Sequence, residues 1–238
     1  MPKRFTTRTV YFLQEGKENL DETLAIAFRS AKLHNITTIV IFTAKGEGVR
    51  IAIERFLSQP EYIGTKVVGV TFPQGMTFTD ENKKPLQVEI SPEDESLFRN
   101  HGVNIIKAHL PFDPIASQFR GKGVLAQDLS LVADALNMLC GSMSLCVQAI
   151  TMACDAAAIQ LGEHVIALTS DTAILAQATT TDRMLKELTI REILCKPAIF
   201  SIGRHESSAD IIDGPIAEER KQIAPQAKAK QRQKSVGS

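Results

Sequence analysis

A mainly parallel α/β fold with helices on both faces of the sheet is predicted by three features of the sequence. Runs such as Ile36–Thr43 are β-branched almost throughout, without the apolar/polar alternation of a half-exposed strand, as expected of strands buried on both faces. Amphipathic helical segments of 10–15 residues lie between such runs, the alternation that builds a three-layer α/β domain. With no Trp and two Tyr, the core falls to Ile, Leu, Val and Ala, and stacking platforms for bases are not expected.

Each element follows from local pattern. Asn19 to Lys32 places Leu20, Leu24, Ala27, Phe28 and Ala31 at helical intervals. Asn19 is the candidate N-cap, Asp21 and Glu22 sit in the first turn, and His34 and Asn35 close the helix. The strand Ile36–Thr43 leads to a helix from about Gly46 to Leu57. Lys66 to Phe72 is a second strand, and Gly75 to Ser91, with Asn82, Lys83, Lys84 and Pro85, reads as an exposed excursion. Ser91-Pro92-Glu93-Asp94 starts a helix, with proline at the first helical position and acids in the first turn. Val103–Leu110 is a strand, followed by a loop through Pro111, Pro114, Gly121 and Gly123. Helices over about Ala126–Leu139 and Leu145–Gln160, short strands Val165–Thr169 and Thr172–Ala176, and Glu192–Ile202 complete one domain over residues 1–202. From Gly203 apolar content falls, and residues 203–238 read as a disordered tail.

Net charge is zero, but residues 217–238 hold six Lys or Arg against two Glu, leaving 1–216 with 21 basic and 25 acidic residues. A mildly acidic body argues against nucleic acid as a partner, and a short basic tail is ordinarily a solubilising end. Cys140, Cys146, Cys154 and Cys195 form no Cys-x-x-Cys pair and have no histidine at a ligand-like interval, so neither a metal nor a disulfide framework is expected. They read as reduced core residues in a reducing, cytoplasmic compartment. The N-terminus lacks the apolar run of a signal peptide. Residues 135–154 are uncharged but interrupted by Asn137, Gly141, Ser142 and Gln148, which fits two buried helices broken near Gly141 better than a membrane span.

Thr43-Ala44-Lys45-Gly46-Glu47-Gly48 joins the first buried strand to a helix. A strand, a glycine-bearing turn and a helix start present free backbone N–H groups, the chemistry that phosphate binding needs. Thr43 supplies a hydroxyl, and Lys45 or Arg50 a charge. The turn matches neither Gly-x-x-x-x-Gly-Lys-Ser/Thr nor Gly-x-Gly-x-x-Gly, and glycines after a strand also serve simple tight turns.

From Tyr11 to Pro197 the chain resembles a family of archaeal and bacterial proteins whose fold is like the C-terminal domain of pyruvate kinase. The resemblance rests on Phe12-x-x-x-Gly16-Lys17-Glu18-Asn19, the turn Thr43–Gly48 and Val103–Leu110 with His109. It rests further on Cys146-Val147-Gln148 through Thr151-Met152-Ala153-Cys154-Asp155, and on Glu192-Ile193-Leu194-Cys195-Lys196-Pro197. It implies binding without pyruvate kinase activity, since in that enzyme the domain carries no residues for phosphoryl transfer and receives a phosphorylated sugar at a similar turn. Relatives hold flavin mononucleotide, which makes FMN the candidate cofactor. The chain departs from the family in having Gln148 for a glutamate, Ala156-Ala157 for Ser-Gly, and a shortened segment Ala167–Ser170 ahead of Asp171-Thr172-Ala173.

The remaining candidates stay open between roles. Asp155 is compatible with a general base or with a helix-end acceptor, Glu18 and Asn19 with ligand contact or capping, and Lys17 with a phosphate contact or a solvated surface position. The leading expectation is a protein that binds a phosphorylated small molecule at Thr43–Gly48. The alternatives are a flavin-dependent or phospho-ester-processing enzyme using Asp155, Gln148 or His109, and a regulatory subunit that retains no ligand. A homo-oligomer is compatible with all three; a membrane or nucleic-acid partner is not expected.

Overall fold

The computed structural model describes residues 6–79, 84–112 and 124–198. The expected tail from Gly203, the excursion's Asn82 and Lys83, and the loop positions Pro114, Gly121 and Gly123 lie outside them. Strand β1 (Val10–Phe12) precedes α1 (Leu20–His34); β2 (Thr38–Phe42) leads into α2 (Glu47–Ile51), which continues as π-helical turns over Ala52–Leu57. Next come β3 (Lys66–Thr71), the hairpin β4 (Thr77–Thr79) and β5 (Pro85–Gln87), α3 (Pro92–Asn100) and β6 (Asn104–Lys107). Helices α4 (Val124–Asn137) and α5 (Met143–Asp155) precede β7 (His164–Leu168), β8 (Ala173–Gln177), the single turn α6 (Met184–Glu187) and β9 (Thr189–Pro197).

Seven strands form one sheet in the order β1-β9-β8-β7-β2-β3-β6, with β4 and β5 apart as a two-stranded ribbon. Only β8 runs antiparallel to its neighbours; the other six strands share one direction. The uniform apolar runs now have a cause, because alternate residues feed two cores. On β2, Val40 and Phe42 pack toward α4 and α5, while Ile39 and Ile41 pack toward α1, α2 and α3. On β7, Val165 and Ala167 join the first core, and Ile166 and Leu168 the second. Each such Ile or Val, fully buried, contributes about 1.5–3 kcal/mol. Among the described residues no helix is long and apolar enough to cross a membrane.

Helix ends show which local signals act. Ser91 caps α3 by accepting from the Asp94 N–H at 3.1 Å, with Pro92 at the first position. Asn35, at φ 54°, closes α1 in the left-handed conformation, and the Ile36 N–H reaches back to the Ala31 carbonyl at 2.8 Å. Asn19 stands at the N-cap position of α1, but its side-chain amide donates to the Gln14 carbonyl at 2.8 Å. A 3-10 turn over Lys17–Asn19 runs straight into the helix, so Asn19 has helical dihedrals and its side chain faces away from the orphan N–H groups. The polar excursion after β3 contains the β4–β5 hairpin, and three-residue β1 pairs with β9 through Val10 opposite Cys195.

Candidate functional site

The strand order creates one reversal. From β2 the chain steps outward to β3 and β6, then returns through α4 and α5 to β7 on the other side of β2. Connections leave the carboxyl ends of β2 and β7 toward opposite parts of the sheet, which opens a crevice at the point where open α/β sheets bind ligands. A cleft of about 660 Å3 lies there. The turn after β2 lines it with Thr43, Ala44, Glu47 and Gly48, and the turn after β7 with Thr169 and Ser170. Lys17 and Glu18 come from the loop before α1, and Ser142 and Leu145 from the start of α5. Phe42 and Phe72 form an apolar wall, packed edge to face at 5.1 Å, and Phe78 of β4 continues the series against Phe72 at 5.0 Å. The chain is poor in aromatics, yet the cleft wall carries two of them.

Three amides of the turn after β2, those of Thr43, Lys45 and Gly46, have acceptors within the protein. Thr43 extends the sheet ladder by donating its N–H to the Val70 carbonyl at 2.9 Å, and its hydroxyl accepts from the Gly46 N–H at 3.0 Å. The Glu47 carboxylate turns back and accepts from the Lys45 N–H at 3.2 Å. A carboxylate seeks unpaired amides at a helix start, and Glu47 reaches one of them, that of Lys45, from within the turn, while Glu47 and Gly48 themselves line the cleft. Arg50 is also committed, since its guanidinium grips Asp94 through two nitrogens, one of them at 2.9 Å. That bond holds the Asp94 carboxyl below the usual carboxylate range.

The two glycines of the turn answer to packing. Gly46 has φ +93°, and a Cβ there would stand 2.9 Å from Phe98, so both conformation and space exclude a side chain. At Gly48 a Cβ would meet Ile41 at 3.0 Å, on the core side of the turn. A valine at Gly48 would press on the core whether or not a ligand approaches. Lys45 and Gly46 do not line the cleft.

On the opposite wall, buried Asp171 organises the β7–β8 turn. Its carboxylate accepts from the Gly16 N–H at 2.9 Å and from the Thr172 hydroxyl at 3.0 Å, with the Thr169 hydroxyl at 3.5 Å. The Thr23 hydroxyl donates to the Ser170 carbonyl at 3.1 Å. These bonds tie the loop carrying Lys17 and Glu18 to the segment carrying Thr169 and Ser170. Thr169 and Ser170, at the end of the segment that is shortened relative to the resembled family, line the cleft, and the sequence signal for them is their place after a buried strand.

Of the other sequence candidates, none lines the cleft. Asn19 is half-buried at the loop before α1. His109 is exposed beyond β6, at the sheet's edge two strands from β2. Gln148 is buried in α5, where its side-chain oxygen accepts from the Phe112 N–H at 2.9 Å. Asp155 ends α5 at the opposite edge of the sheet and binds the N–H of Thr181 at 3.0 Å and its hydroxyl. All four cysteines are buried and unpaired. Burial pushes the Cys195 thiol up to about 12, and that of Cys146 well above its ordinary value. Among the described residues no group of three or more His, Cys, Asp or Glu is arranged to hold a metal ion. None of the known protein-family models matches the sequence.

Proposed function

We propose that this protein binds a phosphorylated small molecule, for which flavin mononucleotide is the candidate, in the cleft at the carboxyl ends of β2 and β7. The observation that carries the reading is the cleft itself: about 660 Å3 at the sheet's reversal point, with an aromatic wall and polar groups converging from four segments. Cavities of roughly 300–1,000 Å3, mostly apolar with a few placed polar groups, are the usual form of small-molecule sites. Phe42, Phe72 and Leu145 suit a planar apolar body, and Lys17, Ser142 and Ser170 suit an anionic or hydroxylated end.

Titration of the purified chain with FMN and with riboflavin, followed by flavin fluorescence and calorimetry, tests this. FMN is expected to bind at least about tenfold more tightly than riboflavin, the increment of a charge-assisted phosphate contact. Equal affinities, or no binding of either, would remove flavin phosphate as the ligand.

A further inference from the structure

Two places in the cleft compete for the anionic group of a ligand, and hydrogen bonding separates them. At the Thr43–Gly48 turn, the Lys45 and Gly46 N–H groups already donate to Glu47 and Thr43, and a dianion there would face the Glu47 carboxylate at close range. Arg50 cannot swing in without abandoning Asp94.

Across the cleft, the bond from the Gly16 N–H to Asp171 joins two loops at 2.9 Å. Lys17 follows the donor and Ser170 precedes the acceptor, so the two residues flank that bond, and both line the cleft. Among the described residues neither the Lys17 ammonium nor the Ser170 hydroxyl has a side-chain partner. Asp171 spends its oxygens on Gly16, Thr172 and Thr169, which leaves the corner rigid while its cation and hydroxyl stay unspent. Among the described residues of the lining Lys17 is the one cation, against Glu18 and Glu47.

We propose that the anionic group of the ligand is recognised at this Lys17–Ser170 corner, held in place by the buried Asp171, and not at the Lys45–Gly48 turn. The proposal rests on the cleft being a small-molecule site, but not on flavin being its occupant. Asp171 acts here as a positioning residue, while Lys17 and Ser170 make the contact.

Inorganic phosphate is the probe, titrated into the 15N-labelled full chain at constant ionic strength with chloride as the balancing anion. Saturable amide shifts are expected at Gly16–Glu18 and Ser170–Thr172. The dissociation constant should rise about tenfold in Lys17→Met and by a smaller factor in Ser170→Ala, as loss of a charged and a neutral hydrogen bond dictates. Glu47→Gln should leave the location of the shifts unchanged. Shifts centred on Lys45–Gly48, an unaltered affinity in Lys17→Met, or no saturable shift at all would each overturn the proposal. The flavin reading fails separately: phosphate held at the corner with no binding of FMN discards flavin and keeps the corner. FMN binding whose phosphate increment survives Lys17→Met does the reverse.

Discussion

The two edges of the sheet solve opposite problems with similar residues. At the amino edge the polar side chains are committed to one another. Glu163 accepts from the Thr38 hydroxyl at 2.6 Å and from the Gln160 N–H at 2.7 Å, Lys66 donates to the Ala158 carbonyl at 2.6 Å, and Asp155 binds Thr181. A shallow depression of about 530 Å3 lies there, but its charged members are paired, Arg183 with Glu187 and Asp182 with Thr180. At the carboxyl edge Asp171 is equally committed, yet beside it Lys17 and Ser170 are unspent and open onto a cleft with an aromatic wall. Depressions of similar size thus differ in what their polar groups have left to offer. A group already bonded must break that bond to take a ligand, and a free one pays only desolvation.

The cysteines give the widest contrast. Cys140, Cys146 and Cys195 lie sealed behind the carboxyl edge, whereas Cys154 reaches the lining of the amino-edge depression. A thiol pushed up to about 12, like Cys195, is on the order of one part in ten thousand thiolate at pH 8, and the thiolate is the reacting form. Alkylation with iodoacetamide at pH 8, read by peptide mass spectrometry, is expected to label Cys154 first and Cys195 more than about a hundredfold more slowly than in denaturant. Equal labelling of all four in the native protein would break the distinction.

Carboxylate truncation sharpens it. Asp171→Ala should cost about 2–4 kcal/mol in urea unfolding, because it leaves the hydroxyls of buried Thr172 and Thr169 without their carboxylate acceptor and strands the half-buried Gly16 N–H. Asp155→Ala loses bonds on an exposed turn and should cost about 1 kcal/mol, with phosphate affinity unchanged. If Asp155→Ala weakened phosphate binding, the assignment of the two edges would fail.

The smallest expected effect concerns pH. The bond from Arg50 lowers the Asp94 pKa in the folded state, so its stabilisation is fully present above the unfolded value of about 4 and is lost as pH falls through the lower folded value. Wild-type stability should decline across that acid window more steeply than that of Asp94→Asn. Parallel urea titrations between pH 6 and 2.5 check this, and identical slopes would contradict the ion pair.

Much of the fold was legible because its signals are local. Ser91-Pro92 starts α3 through one side-chain bond and one fixed dihedral, and the β2 run is apolar on both faces because both faces are covered. Three-residue β1 escaped because so short a segment carries no periodicity, and its pairing with β9 lies more than 180 residues away in sequence. The reversed direction of β8 also needed the sheet, although the turn Thr169–Thr172 before it was visible.

By itself the sequence determined the layered α/β class, the position of the glycine-bearing turn after the first buried strand, and the burial of the cysteines, since hydrophobic pattern and backbone preference act over a few residues. Only the tertiary structure decided which polar groups at the cleft are spent on the protein itself. It spent Arg50 on Asp94, folded Glu47 onto its own turn, placed Gln148 and Asp155 in structural bonds, and brought Lys17 beside Ser170 from 153 positions away. A hydrogen bond is satisfied by whatever partner the fold delivers, and that depends on loops meeting across the sheet rather than on spacing along the chain.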